Sequence, residues 1–271
     1  MPKPFLADAR THLDQYPEEE ILSVLSRARS AGVGLIIAAG TTLDSSRACL
    51  RLSEGYEDVF AGVGIHPMDL QRPLDQRTLT ELRDLALSSR KVVVVSEVGL
   101  DFLKGAPDRD IQYQAFREQV RLAKDLGLPV VFHSREADLE VLRVLEEERA
   151  WTVGGAMHYF QGDEATARRC IELGFHISLA KPLLRLLHLQ EVAKRLSPET
   201  VVLESDCYPQ PFKKKRESWT EPRHVRAVAE KLAQLWNVSL ENVAQATTGN
   251  LLSLLAGKGG PVAKEACQEA P

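Results

Sequence analysis

The sequence predicts an α/β protein of the closed (β/α)8 TIM-barrel class. Three observations predict it. Short apolar runs recur eight times, helical patterns alternate with them, and chemistry-bearing polar residues gather at the carboxyl ends of the runs. Strands buried on both faces are nearly continuous in apolar residues, whereas strands with one wet face alternate.

The runs follow in order. Phe5 to Ala9 opens the chain, followed by Gly34 to Gly40, Val59 to Ile65 and Val92 to Glu97. Pro129 to His133, Thr152 to His158, Phe175 to Leu179 and Thr200 to Glu204 complete the eight. Several are rich in β-branched residues, which suits a pleated buried surface. Between them, Pro17 to Ala31 sets Ile21, Leu22, Leu25 and Ala28 on one stripe, with proline near the first turn and Gly32 as a stop. Asp110 to Gly127 places Phe116, Val120, Ala123 and Leu126 at helical spacing. Glu136 to Glu148, Asp163 to Leu173 and Leu183 to Leu196 read similarly, and Pro222 to Trp236 and Ser239 to Leu255 close the fold. A doubly wound open sheet is the competing architecture, but no G-x-G-x-x-G follows the first run. One domain is expected over 1–256, and the small, polar, aperiodic residues 257–271 read as a loose tail.

Composition narrows the function. The 271 residues are 44% hydrophobic and 27% charged, which excludes disorder throughout and a fibrous repeat. No apolar run approaches the ~20 residues that span a bilayer, and Asp8 interrupts the first too early for a signal peptide. A net charge of −4 excludes a global basic field that grips long DNA, but not a local basic patch. Cys49, Cys170, Cys207 and Cys267 form no C-x-x-C pair, so reduced thiols in a cytoplasmic protein are expected.

Barrel enzymes carry their chemistry on the loops after the carboxyl ends of the strands. Asp8 and His12 end or follow the first strand, His66 the third, Glu97 the fourth, His133 the fifth and His158 the sixth. Glu204 and Asp206 end the eighth. Singly, a strand-end histidine is ordinarily a hydrogen-bonded structural residue and a strand-end aspartate a helix cap. Four of the seven histidines at one end, with four acids, point instead to a metal or polar catalytic site. Imidazole with carboxylate suits zinc or a transition metal, with manganese and magnesium open. Glu97 is placed to bridge ions, and Asp206 to take a water proton as general base.

The segments Gly64-Ile65-His66-Pro67, Glu97-Val98-Gly99-Leu100-Asp101, Phe132-His133-Ser134-Arg135, Met157-His158-Tyr159-Phe160-Gln161-Gly162 and Leu203-Glu204-Ser205-Asp206 resemble the signatures of the TatD family of metal-dependent deoxyribonucleases. Arg216 to Pro222 resembles the family's basic loop ending in Glu-Pro, and Thr248 to Asn250 its Thr-x-Asn. The resemblance runs from about Phe5 to Leu255. It implies an amidohydrolase-type, metal-dependent hydrolase barrel acting on DNA with one or two divalent ions. It further implies that Glu97, His133, His158 and Asp206 are metal ligands, with His12 a ligand of a second ion. His66 and Glu204 match further active-site positions.

The family opens with Asp-x-His-x-His, where this chain has Asp8-Ala9-Arg10-Thr11-His12. Arginine has no lone pair for a metal, so the site that shares His12 loses a ligand and gains a charge. A single ion at Glu97, His133 and His158 is therefore expected. Arg10 is left either to grip a substrate phosphate or to pair with Asp8 or Asp206. The run Lys213-Lys214-Lys215-Arg216 with Trp219 reads as a phosphate-binding rim with an aromatic for stacking a base, or as a solvated loop. Arg135 meets a phosphate or pairs with Glu136 or Asp138. His176 is expected to be packed, His188 and His224 to lie on helix surfaces, and Met68 to fill a loop. The leading reading is hydrolysis of DNA phosphodiesters from an end or in single strands. The alternatives are an amidohydrolase of a small amide or ester, and a non-catalytic binding barrel. The sequence leaves the metal, DNA versus RNA and the oligomeric state open.

Overall fold

The computed structural model describes residues 4–256; the expected tail and Cys267 lie outside them. Eight parallel strands stand side by side in chain order. They are β1 Leu6–Thr11, β2 Val33–Ala39, β3 Val59–Val63, β4 Val92–Asp101, β5 Val130–Arg135, β6 Gly155–Met157, β7 His176–Leu179 and β8 Val201–Leu203. The helices are α1 Glu18–Ser30, α2 Leu43–Gly55, α3 Gln76–Ser88, α4 Arg109–Leu126, α5 Asp138–Glu147, α6 Glu164–Glu172, α7 Leu187–Arg195, α8 Val225–Trp236 and α9 Leu240–Ala256. This is the (β/α)8 barrel that the alternation of runs predicts.

Two apolar clusters hold it. The larger packs helix stripes such as Ile21, Val24 and Leu25 of α1, and Phe116 and Val120 of α4, against the strands. The smaller joins Ala7, Leu35, Ile37, Val131, Ala156 and Val202 to Leu251, Leu254 and Leu255 of α9. Residues drawn from β1, β2, β5, β6 and β8 can share one cluster only inside a closed sheet, so α9 seals the amino-terminal end. The opposite, carboxyl end stays open.

Closure between β8 and β1 is different in kind. Among the described residues no ladder joins them. Instead Asp206 N–H donates to Arg10 O at 3.2 Å and His12 N–H to Cys207 O at 2.8 Å. The carboxylate of Asp8 accepts Ser205 N–H at 2.8 Å. Asp8 is wholly buried, and burial pushes its carboxyl up to about 8.

Several boundaries differ from the sequence reading. The sixth strand starts at Gly155, because Ala150–Thr152 forms a 3-10 turn and Gly154 follows at φ +73°, a left-handed conformation favoured by glycine. The segment Leu183 to Leu196 divides into a 3-10 turn, Lys181–Leu184, and α7. Helices α2 and α3 fill gaps that periodicity did not single out. Their caps were nevertheless present: Thr42 accepts Ser45 N–H, and Asp75 accepts Thr78 N–H. His224 is half-buried rather than on the surface, since it closes a reciprocal cap with Glu221. No helix among the described residues is long and apolar enough to cross a membrane.

Candidate active site

The open end of the barrel holds a cavity of about 740 Å³. Arg10, His12, His66, Glu97, His133, Arg135, His158 and Asp206 all line it, so most residues singled out by position alone converge there.

Glu97 is its hub. The residue lies within β4, and only 2% of it is exposed. Its Oε1 lies 2.8 Å from His158 Nε2, 3.0 Å from His133 Nδ1 and 3.5 Å from His66 Nε2. The ligand atoms of His66, Glu97 and His133 fall within 4.8 Å of one another, a spacing that can hold a metal ion. His66 thus belongs with the ligand-type groups, beyond the active-site role the sequence gave it. Burial alone would push the Glu97 carboxyl up. The Arg10 guanidinium, the imidazoles of His158 and His66 and the hydrogen bond with His133 outweigh burial and hold it well below the usual carboxylate range.

Two further carboxylates orient the imidazoles. Asp101 Oδ2 lies 3.0 Å from His133 Nε2. Asp101 in turn accepts Leu103 N–H at 3.0 Å, and its own N–H donates to Gln112 Oε1 at 2.8 Å. Burial would lower the affinity of His133 for its proton, but the bonds with Asp101 and Glu97 raise it. Sequence reasoning gave Asp101 no role of its own. The signal was nevertheless there, since Glu97, Gly99 and Asp101 alternate along one strand and therefore share a face. Gly99 is required between them: its φ is +149°, and a Cβ there would lie 2.0 Å from His133 O. Glu204 performs the same service for His158, with Oε1 3.0 Å from Nδ1 and 2.8 Å from Tyr159 N–H. It is 0% exposed and does not line the cavity. Glu204, an active-site position by resemblance, stands behind His158, with its carboxylate engaged by that ring, Tyr159 and Ser178.

Arg10 occupies the other side of Glu97. Its guanidinium meets Glu97 Oε2, His12 Nε2 and Asp206 Oδ1. Of the uses open to it, pairing with Asp206 is the one observed, and Glu97 is an additional partner. A guanidinium can only donate, so His12 accepts through Nε2. Burial and the nearby guanidinium push His12 down to about 3, which keeps the ring neutral.

The basic rim is placed elsewhere. Lys213, Lys214, Lys215, Arg216 and Trp219 do not line the cavity. Arg216 pairs with Glu20 of α1 and with Glu221, and its guanidinium carbon lies 4.4 Å from the Trp219 ring centre. Of the two readings of this run, these contacts favour a loop role for the two side chains: Arg216 ties the loop after β8 to α1, and Trp219 packs beside its guanidinium and edge-on to Tyr16. Lys213 Nζ donates to Ser218 O at 2.9 Å, while Lys214 and Lys215 are exposed. Aromatics do line the cavity, among them Tyr159, Phe160 and Tyr208, the last 38% exposed and missed by the sequence reading. Met68, placed there as filler, also lines the wall. Arg135 pairs with neither expected acid; its nearest carboxylate is Asp101, at 3.9 Å.

A barrel that gathers imidazoles about a shared carboxylate at its carboxyl end has the donor set of a metal-dependent hydrolase. The comparisons agree in class. The family model for TatD related DNase matches residues 7–256, and the chain belongs to that family. It is 33% identical over 252 residues to an uncharacterized metal-dependent hydrolase, YabD, of Bacillus subtilis, covering 90% of this chain and 96% of that one. It is 30% identical to human deoxyribonuclease TATDN3, covering 92% and 94%. Among solved structures, the TatD homologue YJJV of Escherichia coli superposes with a TM-score of 0.84 at 28% identity, covering 92% and 97%.

Proposed function

We propose that the protein hydrolyses phosphodiester bonds in DNA, at an end or in single strands, with one divalent ion held by Glu97, His133 and His158 beside His66. The observation that carries this reading is the single carboxylate oxygen of Glu97 facing three imidazole nitrogens in an open cavity. These residues would hold a divalent ion, magnesium, manganese or zinc, which when bound would lower the pKa of a water and steady charge on a phosphoryl oxygen. Asp101 and Glu204 hold the two inner imidazoles in fixed orientation. Asp206 faces the cavity and takes the proton of the attacking water. Family membership and the similarity to human deoxyribonuclease TATDN3 support DNA as the substrate. The free buried thiols of Cys49, Cys170 and Cys207 support a reducing, cytoplasmic setting.

The test is degradation of end-labelled single- and double-stranded DNA with and without chelator. Chelation should abolish cleavage, and manganese, magnesium or zinc should restore it. Undiminished turnover by metal-free protein would refute the mechanism, and turnover of a small amide or ester without DNA cleavage would replace the substrate. Contact with DNA divides between two surfaces. Tyr208→Ala should weaken binding by roughly 1–3 kcal/mol, the worth of one stacked base. Changing Lys213, Lys214 and Lys215 together to alanine should raise KM and reduce the salt slope by about 0.7 per lost contact on single strands, with kcat less affected. An unchanged slope in the triple variant would assign the lysines to solvent alone.

A further inference from the structure

We infer that the Arg10 guanidinium is a built-in cation filling the second cation position of the cavity, so that the chain takes up one divalent ion and not two. This rests on the metal-dependent reading above and adds what becomes of the other half of the site.

Glu97 divides the cavity floor. Its Oε1 faces His66, His133 and His158 at 3.5, 3.0 and 2.8 Å. Its Oε2 faces Arg10. On that second side, a carboxylate oxygen of Glu97, one of Asp206 and the Nε2 of His12 converge on the guanidinium. Two carboxylates and an imidazole are a donor set that suits a divalent ion. Here their lone pairs are already met by a cation that belongs to the chain. Arg10 is 2% exposed, and a guanidinium offers donors and no lone pair, so the position is held by a cation of the chain itself. A divalent ion entering there would share the same oxygens with a fixed positive charge and be repelled by it.

The substitution is not equivalent to the ion it replaces. A guanidinium has no open coordination position and carries no activated water. The Arg10 side therefore contributes charge and a planar fork of donors, which suits a phosphoryl oxygen. The nucleophile must come from the imidazole side. The two halves of the cavity are thus given separate tasks, divided at the Glu97 carboxylate.

Metal content, which needs no activity, tests this. Protein saturated with manganese and then desalted should carry one ion per chain by elemental analysis, and calorimetric titration should give the same stoichiometry. Residue 10 lies two positions from His12 and on the same face, so an imidazole there would complete a four-group set with His12, Glu97 and Asp206. Arg10→His should therefore double the stoichiometry to two. Arg10→Gln, which removes the charge and nearly keeps the length, should also admit a second ion, with weaker affinity. Circular dichroism identifies a variant that fails to fold, and the other then decides. Two ions in the wild-type chain would overturn the inference while leaving the metal-dependent reading intact. No ion in the wild-type chain would overturn both. One ion in wild type and in every folded variant would show that Arg10 does not exclude the second.

Discussion

Replacing Glu97 by alanine should remove both the bound ion and the hydrolysis. Its Oε1 is the point on which three imidazole nitrogens converge, and no other carboxylate oxygen occupies that position. A metal ion's contribution to transition-state stabilisation is several kcal/mol, at ~1.4 kcal/mol per tenfold in rate, so kcat/KM should fall by about a thousandfold or more. The substitution also strips Arg10 of a buried partner, and breaking a buried ion pair costs about 3–5 kcal/mol. Glu97→Gln, which keeps the shape, separates the two effects. It should remain folded by circular dichroism and still lose the ion. Full metal content in folded Glu97→Gln would remove Glu97 from the ligand set.

Asp206→Asn should behave differently. The amide oxygen still accepts from Arg10, so the packing of the second half of the cavity survives. What disappears is the capacity to take a proton. A general base contributes about 10²–10⁴-fold, so kcat should fall by that factor while KM changes little. Metal content should stay at one per chain, because the ion-pair partner of Asp206 is Arg10 and the ion is assigned to Glu97, His133 and His158. Loss of the ion in this variant would make Asp206 a ligand. An unchanged kcat would assign the base elsewhere.

The contrast between these variants marks what the sequence could convey. The barrel was legible because strands buried on both faces announce themselves in continuous runs such as Val92 to Val95 and Pro129 to Phe132. The site was legible because histidines and acids sit at one end of those runs. The functions of Glu204 and Asp101 were not. Each depends on which imidazole lies beside it in space, and the partners are 46 and 32 residues away. The course of the basic loop was hidden for a related reason. Its composition advertises phosphate, but its path is set by the ion pairs of Arg216 with Glu20 and Glu221, which no local pattern encodes. At Arg10 the sequence revealed a missing lone pair but not the second partner, Glu97, which stands 87 residues further along.

The ion pair between Arg10 and Asp206 also has a mechanical side. Arg10 stands on β1 and Asp206 follows β8, the two strands that no ladder joins among the described residues. Beside the backbone hydrogen bonds of Asp206 and His12 across that seam, the ion pair acts as a clasp. If a dissociable ion were that clasp, the wall would loosen whenever the ion was scarce, because binding energy at such a place is also folding energy. Here both halves of the clasp are part of the chain, and chelation cannot remove either. A cell short of metal would hold this protein idle but still assembled, with the vessel shut along its seam and ready to be charged again when the supply returns.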